Sequence, residues 1–199
     1  DLIPQFEYIR KSVIAFNIPS IELINYEADD LIATYVEQIL DKGAKVTIIS
    51  SDKDLMQLYR KNVRIYDPMK NKFISEEDVN IKFGVEPKSV VDVQALAGDS
   101  TDNVPGVPGI GVKTAAELIN EYGTLENLLK NTNKIKQTKR RETLLENKEK
   151  AIISKKLVTL KKDVPVKNKI HEFELKQIDK NKLYEFLREM EFNRLLSSV

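Results

Sequence analysis

The sequence predicts an α/β layer, a mostly parallel sheet with flanking helices, followed by a purely helical part. Helical and strand periodicities alternate over residues 4–75, and only short helical patterns follow. The strand candidates also end at acidic or turn residues, where open α/β sheets gather ligands. Residues 1–75 are therefore expected as an α/β core and 76–199 as a helical subdomain, with the seam near 75–98.

Phe6, Ile9, Val13 and Phe16 lie at helical spacing across residues 4–17. Ile21–Ile24 reads as a short apolar strand closed by Asn25. A second helix is expected from about Ala28 to Lys42, with Leu31, Ile32, Tyr35, Val36, Ile39 and Leu40 on one side and Gly43 as its stop. Residues 44–50 are rich in β-branched side chains and read as a buried strand ending at Ser51-Asp52; Val63–Tyr66 reads as another, ended by Asp67-Pro68. Helices are then expected over roughly 75–83 before Gly84, 87–97 after Pro87, 112–122 before Gly123, 124–131, 137–160 and 179–192.

Composition narrows the chemistry. Residues 1–103 carry 12 Lys/Arg against 18 Asp/Glu, and residues 104–199 carry 20 against 13, a polarity that the overall charge of +1 hides. An acidic half that needs cations beside a basic half able to hold phosphates suits a nucleic-acid enzyme. With no cysteine in the 199 residues there is neither a disulfide framework nor a thiolate metal site, which fits a reducing cytoplasm. No apolar run approaches the ~20 residues of a membrane span.

Seven carboxylates arrive in three clusters: Glu27, Asp29 and Asp30; Asp52 and Asp54; Asp99 and Asp102. Oxygen-only ligand sets suit Mg²⁺ or Mn²⁺, and two such ions about 3.5–4 Å apart are a common device for cutting phosphodiesters. Each cluster alone has an ordinary explanation. Glu27 and Asp30 lie three apart in a helix-opening segment, where acids complement the macrodipole. Asp52 and Asp54 follow a buried strand, with both carboxylates on one side if the backbone stays extended, and Asp99 and Asp102 suit turn and capping positions. Gly106-Val-Pro-Gly109-Ile-Gly111-Val-Lys113-Thr114 comes next. Glycines that allow positive φ and close approach can aim the amides of a following helix at a phosphate, with Lys113 supplying a charge and Thr114 a hydroxyl.

These motifs in this order resemble the flap endonuclease family, in the form of the 5′ nuclease domain of bacterial DNA polymerase I. The resemblance spans the whole chain, from Tyr26-Glu-Ala-Asp-Asp30 through Ser51-Asp-Lys-Asp-Leu-Met-Gln-Leu58 and Leu96-Ala-Gly-Asp-Ser-Thr-Asp-Asn-Val-Pro-Gly106 to Phe186-Leu-Arg-Glu-Met-Glu-Phe192. It implies a PIN-like 5′ nuclease core and a helix-hairpin-helix motif at about 98–122. By this resemblance Glu27 and Asp29 are ligands of a first metal with Asp30 close by, Asp52, Asp54 and Asp102 form the second-metal set, and Asp99 is an additional acidic ligand. Gly106, Gly109, Gly111, Lys113 and Thr114 belong to the element that grips duplex backbone, where carbonyls near Val107 and Ile110 hold a K⁺ ion. Lys53 and Gln57 fit the pattern and receive no catalytic role.

The implied activity is Mg²⁺- or Mn²⁺-dependent hydrolysis of DNA at 5′ flaps, nicks or RNA primers in replication and repair. The expected setting is a monomer in the bacterial cytoplasm, associated with the nucleoid, with a polymerase domain in the same parent chain. The family's leading strand with a metal-binding Asp, a further Asp after the next strand, and the basic arch are not in the sequence; Asp1-Leu2-Ile3-Pro4 resembles the exit of that arch. Impaired cleavage is therefore expected. A duplex- or junction-binding module without chemistry is the alternative. A metal-dependent ribonuclease on a similar α/β layer is a third reading, and the hairpin argues against it.

Overall fold

The computed structural model describes residues 2–198. In chain order its helices are α1 (Gln5–Ala15), α2 (Ala28–Leu40), α3 (Glu76–Phe83), α4 (Val90–Ala97), α5 (Val112–Tyr122), α6 (Leu125–Lys130), α7 (Thr138–Glu146), α8 (Lys148–Val158), α9 (Lys180–Glu189) and α10 (Asn193–Leu196), and its strands are β1 (Val46–Ile49), β2 (Val63–Asp67) and β3 (Lys72–Ile74). The chain divides into two compact units, Asp1–Glu27 with Pro165–Val199, and Ala28–Val164. This division follows packing and differs from the 1–75 and 76–199 boundary drawn from the sequence, because the first unit joins both ends of the chain.

In the first unit α1 packs on α9 around Ala15, Leu183, Phe186 and Leu187. Asp179 caps α9 by accepting from the amides of Asn181 (3.0 Å) and Lys182 (3.3 Å), the usual relief for unpaired first-turn N–H groups. Residues 21–24, expected as a strand, make no sheet pairing. Glu22 instead accepts from Arg10 at 2.8 Å, Ile24 is exposed, and Asn25 turns the chain with φ of 70°.

The second unit holds the sheet. β1 and β2 run parallel with Ile48 opposite Ile65, while β3 returns antiparallel to β2 with Ile74 opposite Ile65. Three residues of β3, two of them exposed, leave no sequence period to read, so this strand was not expected. Ile48, Val63, Ile65 and Ile74 lie on the buried face. α2 turns Leu31, Tyr35 and Val36 inward, and Gly43 ends its exit turn with φ of 74°. α3 opens on a reciprocal cap in which Ser75 and Asp78 each accept the other's amide, and it stops at Gly84 in the left-handed region.

α4 is the axis of the helical part. Its Val90, Val93, Ala95 and Leu96 are fully buried, and it packs against α5 and α8. The single helix expected over 137–160 is two, α7 and α8, because Asn147 leaves helical geometry at φ −111° and ψ 21°. Beyond α8 the chain is pinned by side chains. Gln57 donates to the Val158 carbonyl (2.9 Å) and accepts from the Leu160 amide (3.2 Å), while Asp30 and Thr34 on α2 accept from the amides of Lys161 (2.8 Å) and Val164 (3.1 Å). Among the described residues no helix is long and apolar enough to cross a membrane.

Candidate functional site

β1 delivers its acids through a chain of short-range caps. The Ser50 amide extends the ladder to Tyr66 O (3.0 Å), the Asp52 amide donates to Ser50 Oγ (3.0 Å), and the Asp54 amide donates to Asp52 Oδ1 (2.8 Å). Asp54 then starts a 3₁₀ turn, Asp54–Leu58, anchored by the buried Leu55, Met56 and Leu58. Asp52 and Asp54 thus sit just past the carboxyl end of a parallel strand, the place their sequence position indicated.

The third cluster reaches the second across 46 residues of sequence. Lys53 donates to Asp99 Oδ2, and Gln94 on α4 donates to Asp54 Oδ1. Asp99 also accepts from the Thr101 amide at 2.9 Å. The charges of Asp52 and Asp102 act on Asp54, and those of Asp54, Asp99 and Asp102 act on Lys53. Three of the seven predicted acids therefore surround one ammonium group, and Asp52 acts on one of the three. The amide carbonyl oxygen Gln94 Oε1 is buried without a hydrogen-bond partner.

Electrostatics separate the two half-buried acids. Burial pushes the Asp54 carboxyl up, and Asp52 and Asp102 push it further, against the pull of the Gln94 amide and the Lys53 ammonium. Asp99 goes the other way: the hydrogen bond from Lys53 holds it below the usual carboxylate range despite some burial. Lys53 in turn is raised, first by its bond to Asp99 and then, against desolvation, by the surrounding acids.

The first cluster is placed differently. Asp29 and Asp30 occupy the opening turn of α2, where Asp30 accepts from the Lys161 amide. Glu27 ends the N-terminal segment of the other compact unit. Among the described residues no group of three or more Asp, Glu, His or Cys stands close enough together to hold a metal ion as it is. Lys53, given no role from the sequence, and Gln94, passed over there, are the residues that organise the acids. Their partners lie 46 and 40 residues away, beyond any local pattern.

The hairpin is compact. Gly98 ends α4 with φ of 73°, and Asp99 and Val104 exchange both backbone hydrogen bonds (2.9 and 2.7 Å). Gly106 has φ of 58°, and a Cβ there would meet Gly98 N at 2.5 Å. The Gly106 amide donates to the buried Ser154 Oγ at 2.9 Å, and the Val107 amide to Leu96 O at 2.8 Å. Val107 and Ile110 are buried anchors, while Gly109 (φ 75°) and Gly111 are open at the tip. α5 follows with no side-chain cap, and its first internal bond runs from the Ala115 amide to Gly111 O (2.9 Å). The amides of Val112, Lys113 and Thr114 thus open the helix without an intrahelical acceptor, beside the exposed Lys113.

Comparison with known proteins agrees with this architecture. Residues 1–84 match the family described as the 5′-3′ exonuclease N-terminal resolvase-like domain, and residues 85–181 match the 5′-3′ exonuclease C-terminal SAM fold. DNA polymerase I of Rhizobium leguminosarum is 52% identical over 199 residues, which cover 100% of this chain and 20% of that protein. The 5′-3′ exonuclease of Buchnera aphidicola subsp. Schizaphis graminum (strain Sg) is 34% identical over 195 residues, covering 95% of this chain and 68% of that one. The T5 D15 protein co-crystallised with metal ions has the same fold, with a TM-score of 0.72 at 22% identity over 94% of this chain and 70% of that one. Consecutive matches to both domains and whole-chain identity at these levels have one reading: the chain belongs to the 5′-3′ exonuclease family.

Proposed function

We propose that this chain forms part of a divalent-metal-dependent 5′ nuclease that hydrolyses DNA phosphodiesters at 5′ flaps, nicks or RNA primers in replication and repair. One observation carries the reading: Asp52, Asp54, Asp99 and Asp102 gather past the end of β1, and Asp102 is four residues from the glycine of a hairpin that opens a helix. Acid cluster and phosphate clamp are one continuous stretch of chain. The division into an acidic core up to about residue 75 and a helical DNA-binding subdomain after it belongs to the same proposal, supported by the family boundary at residue 84.

The donor set fits hard cations. All the donors are carboxylate oxygens, and Asp54 already feels the repulsion of Asp52 and Asp102 that a bound cation would relieve. Asp52, Asp54, Asp99 and Asp102 would hold one Mg²⁺ or Mn²⁺, and Asp29 and Asp30 on α2 would contribute to the other. The T5 D15 protein, which shares this fold, was co-crystallised with metal ions, which supports metal dependence. Such ions supply an activated water at neutral pH and stabilise charge on the phosphate and the leaving oxygen.

The chain's own groups do the positioning. The amides at the start of α5, with Lys113 and Thr114, hold a duplex phosphate, and Gly109 and Gly111 let the backbone approach it. The carbonyls near Val107 and Ile110 are the donors that would hold a K⁺ ion. Val107 O accepts from the Ile110 amide at 3.0 Å, and a carbonyl retains a second lone pair. The same reading takes the protein to be a monomer acting on DNA in the bacterial cytoplasm, with a polymerase domain in the parent chain, which the name of the longer Rhizobium relative, DNA polymerase I, supports.

The lack of a closed three-acid group among the described residues favours a second reading, a duplex-binding module without chemistry. A cleavage assay on 5′-flap DNA separates the two. With Mg²⁺ the nuclease reading expects weak but detectable cutting near the flap junction, lost in Asp54→Asn. Flap binding with no cutting by the protein under any divalent ion supports the module.

A further inference from the structure

Lys53 pairs with Asp99 and lies within the field of Asp54 and Asp102. Its stem rises from a fixed backbone: its carbonyl accepts from the Met56 amide at 3.1 Å, and the buried Leu55 and Met56 follow. Its ammonium pairs with Asp99, and its side chain is 34% exposed against 12% for the Asp99 side chain. Several carboxylates facing one another repel, and an ammonium among them offsets that repulsion. We propose that Lys53 is a positioning residue, the internal counter-ion of the acid group, which holds Asp99 while no divalent ion is bound and yields that carboxylate when one binds.

The inference rests on the metal reading given above. Asp99 cannot serve the ammonium and a divalent cation equally, and the two cations repel each other. Lys53 therefore keeps the acids assembled at the expense of some ion affinity. Its removal should destabilise the metal-free protein and leave the metal-bound protein unharmed. A side chain needed only for packing would weaken both states alike, which makes the two roles separable.

The test compares wild type, Lys53→Met and Lys53→Arg by scanning calorimetry with and without Mg²⁺, and by Mn²⁺ titration after chelation. In Lys53→Met the metal-free Tm should fall by about 2–4 °C, the shift for ~1 kcal/mol in a chain of this size. Mg²⁺ should close the gap, and Mn²⁺ should bind on the order of fivefold tighter. Lys53→Arg, which keeps the charge, should track wild type. An equal Tm loss with and without Mg²⁺, or weaker Mn²⁺ binding in Lys53→Met, overturns the counter-ion role and leaves the metal reading standing. A wild type that responds to neither ion overturns the metal reading and the exchange with it.

Discussion

Gly98 and Gly106 face each other across the hairpin so closely that a Cβ on Gly106 would stand 2.5 Å from Gly98 N and 2.7 Å from Ala97 C. Both residues also have positive φ, 73° and 58°. The approach joins the end of α4 to the loop that opens α5, so it sets the distance between the acids and the phosphate clamp.

Gly106→Ala combines a left-handed backbone with a clash against main chain that cannot swing away. It should cost about 3 kcal/mol or more. Gly109→Ala meets the same kind of φ, 75°, with nothing within 4 Å, and should cost only about 1 kcal/mol. Urea unfolding of the two variants checks this. Equal losses would show that conformation alone, without close packing, dictates glycine at residue 106.

A buried acid links α4 to α8. Lys155 lies 2.6 Å from Asp92, which is 6% exposed, and 2.7 Å from Glu126. Lys155→Met leaves Asp92 buried without its counter-charge and should destabilise by about 2–3 kcal/mol, below the 3–5 of a fully buried pair because Lys155 keeps some water. Adding Asp92→Asn should recover much of that loss. A double-mutant cycle in urea measures the coupling, and strict additivity would mean that the pair contributes nothing.

Asp67 ends β2 and accepts from Ser51 Oγ (2.7 Å) and from the amides of Met69 (3.0 Å) and Lys70 (3.2 Å). The Ser51 hydroxyl, with these donors and against burial, lowers its carboxyl to about 2. The folded value lies below the unfolded one of ~3.9, so the stabilisation is complete above about pH 4 and fades as pH falls through the folded value. Asp67→Asn should therefore lower Tm at pH 7, with the gap to wild type narrowing toward pH 2. A gap independent of pH would show that ionisation of Asp67 is not what stabilises the strand ends.

The same contrast between local and distant contacts explains what the sequence disclosed. Gly43, Gly84 and Gly123 mark helix ends within one turn, because a stop at positive φ is a local property of glycine. Asn147 breaks 137–160 into two helices and carries no comparable signal. Residues 21–24 have the composition of a strand, yet pairing is a long-range event that composition cannot supply. The acids were legible as residue types on turns and strand ends. That Lys53 and Gln94 would bridge them depends on how α4 docks beside the Asp54–Leu58 turn, which no local period encodes.

At the hairpin, backbone amides and one lysine should hold phosphate without reading bases. Lys113→Ala should weaken duplex binding about equally across sequences and reduce the salt slope by roughly one ion. Fluorescence anisotropy at several salt concentrations on unrelated duplexes measures both. A loss confined to particular sequences would indicate base contacts and contradict the clamp.

The central claim is that these carboxylates bind catalytic cations, and calorimetric titration of Mn²⁺ into the chelator-treated protein addresses it most directly. The account expects saturable binding by wild type and at least about tenfold weaker binding by Asp54→Asn, since even loss of an outer partner of a ligand typically costs 10–100-fold. Absence of binding to wild type, or unchanged affinity in Asp54→Asn, would contradict it.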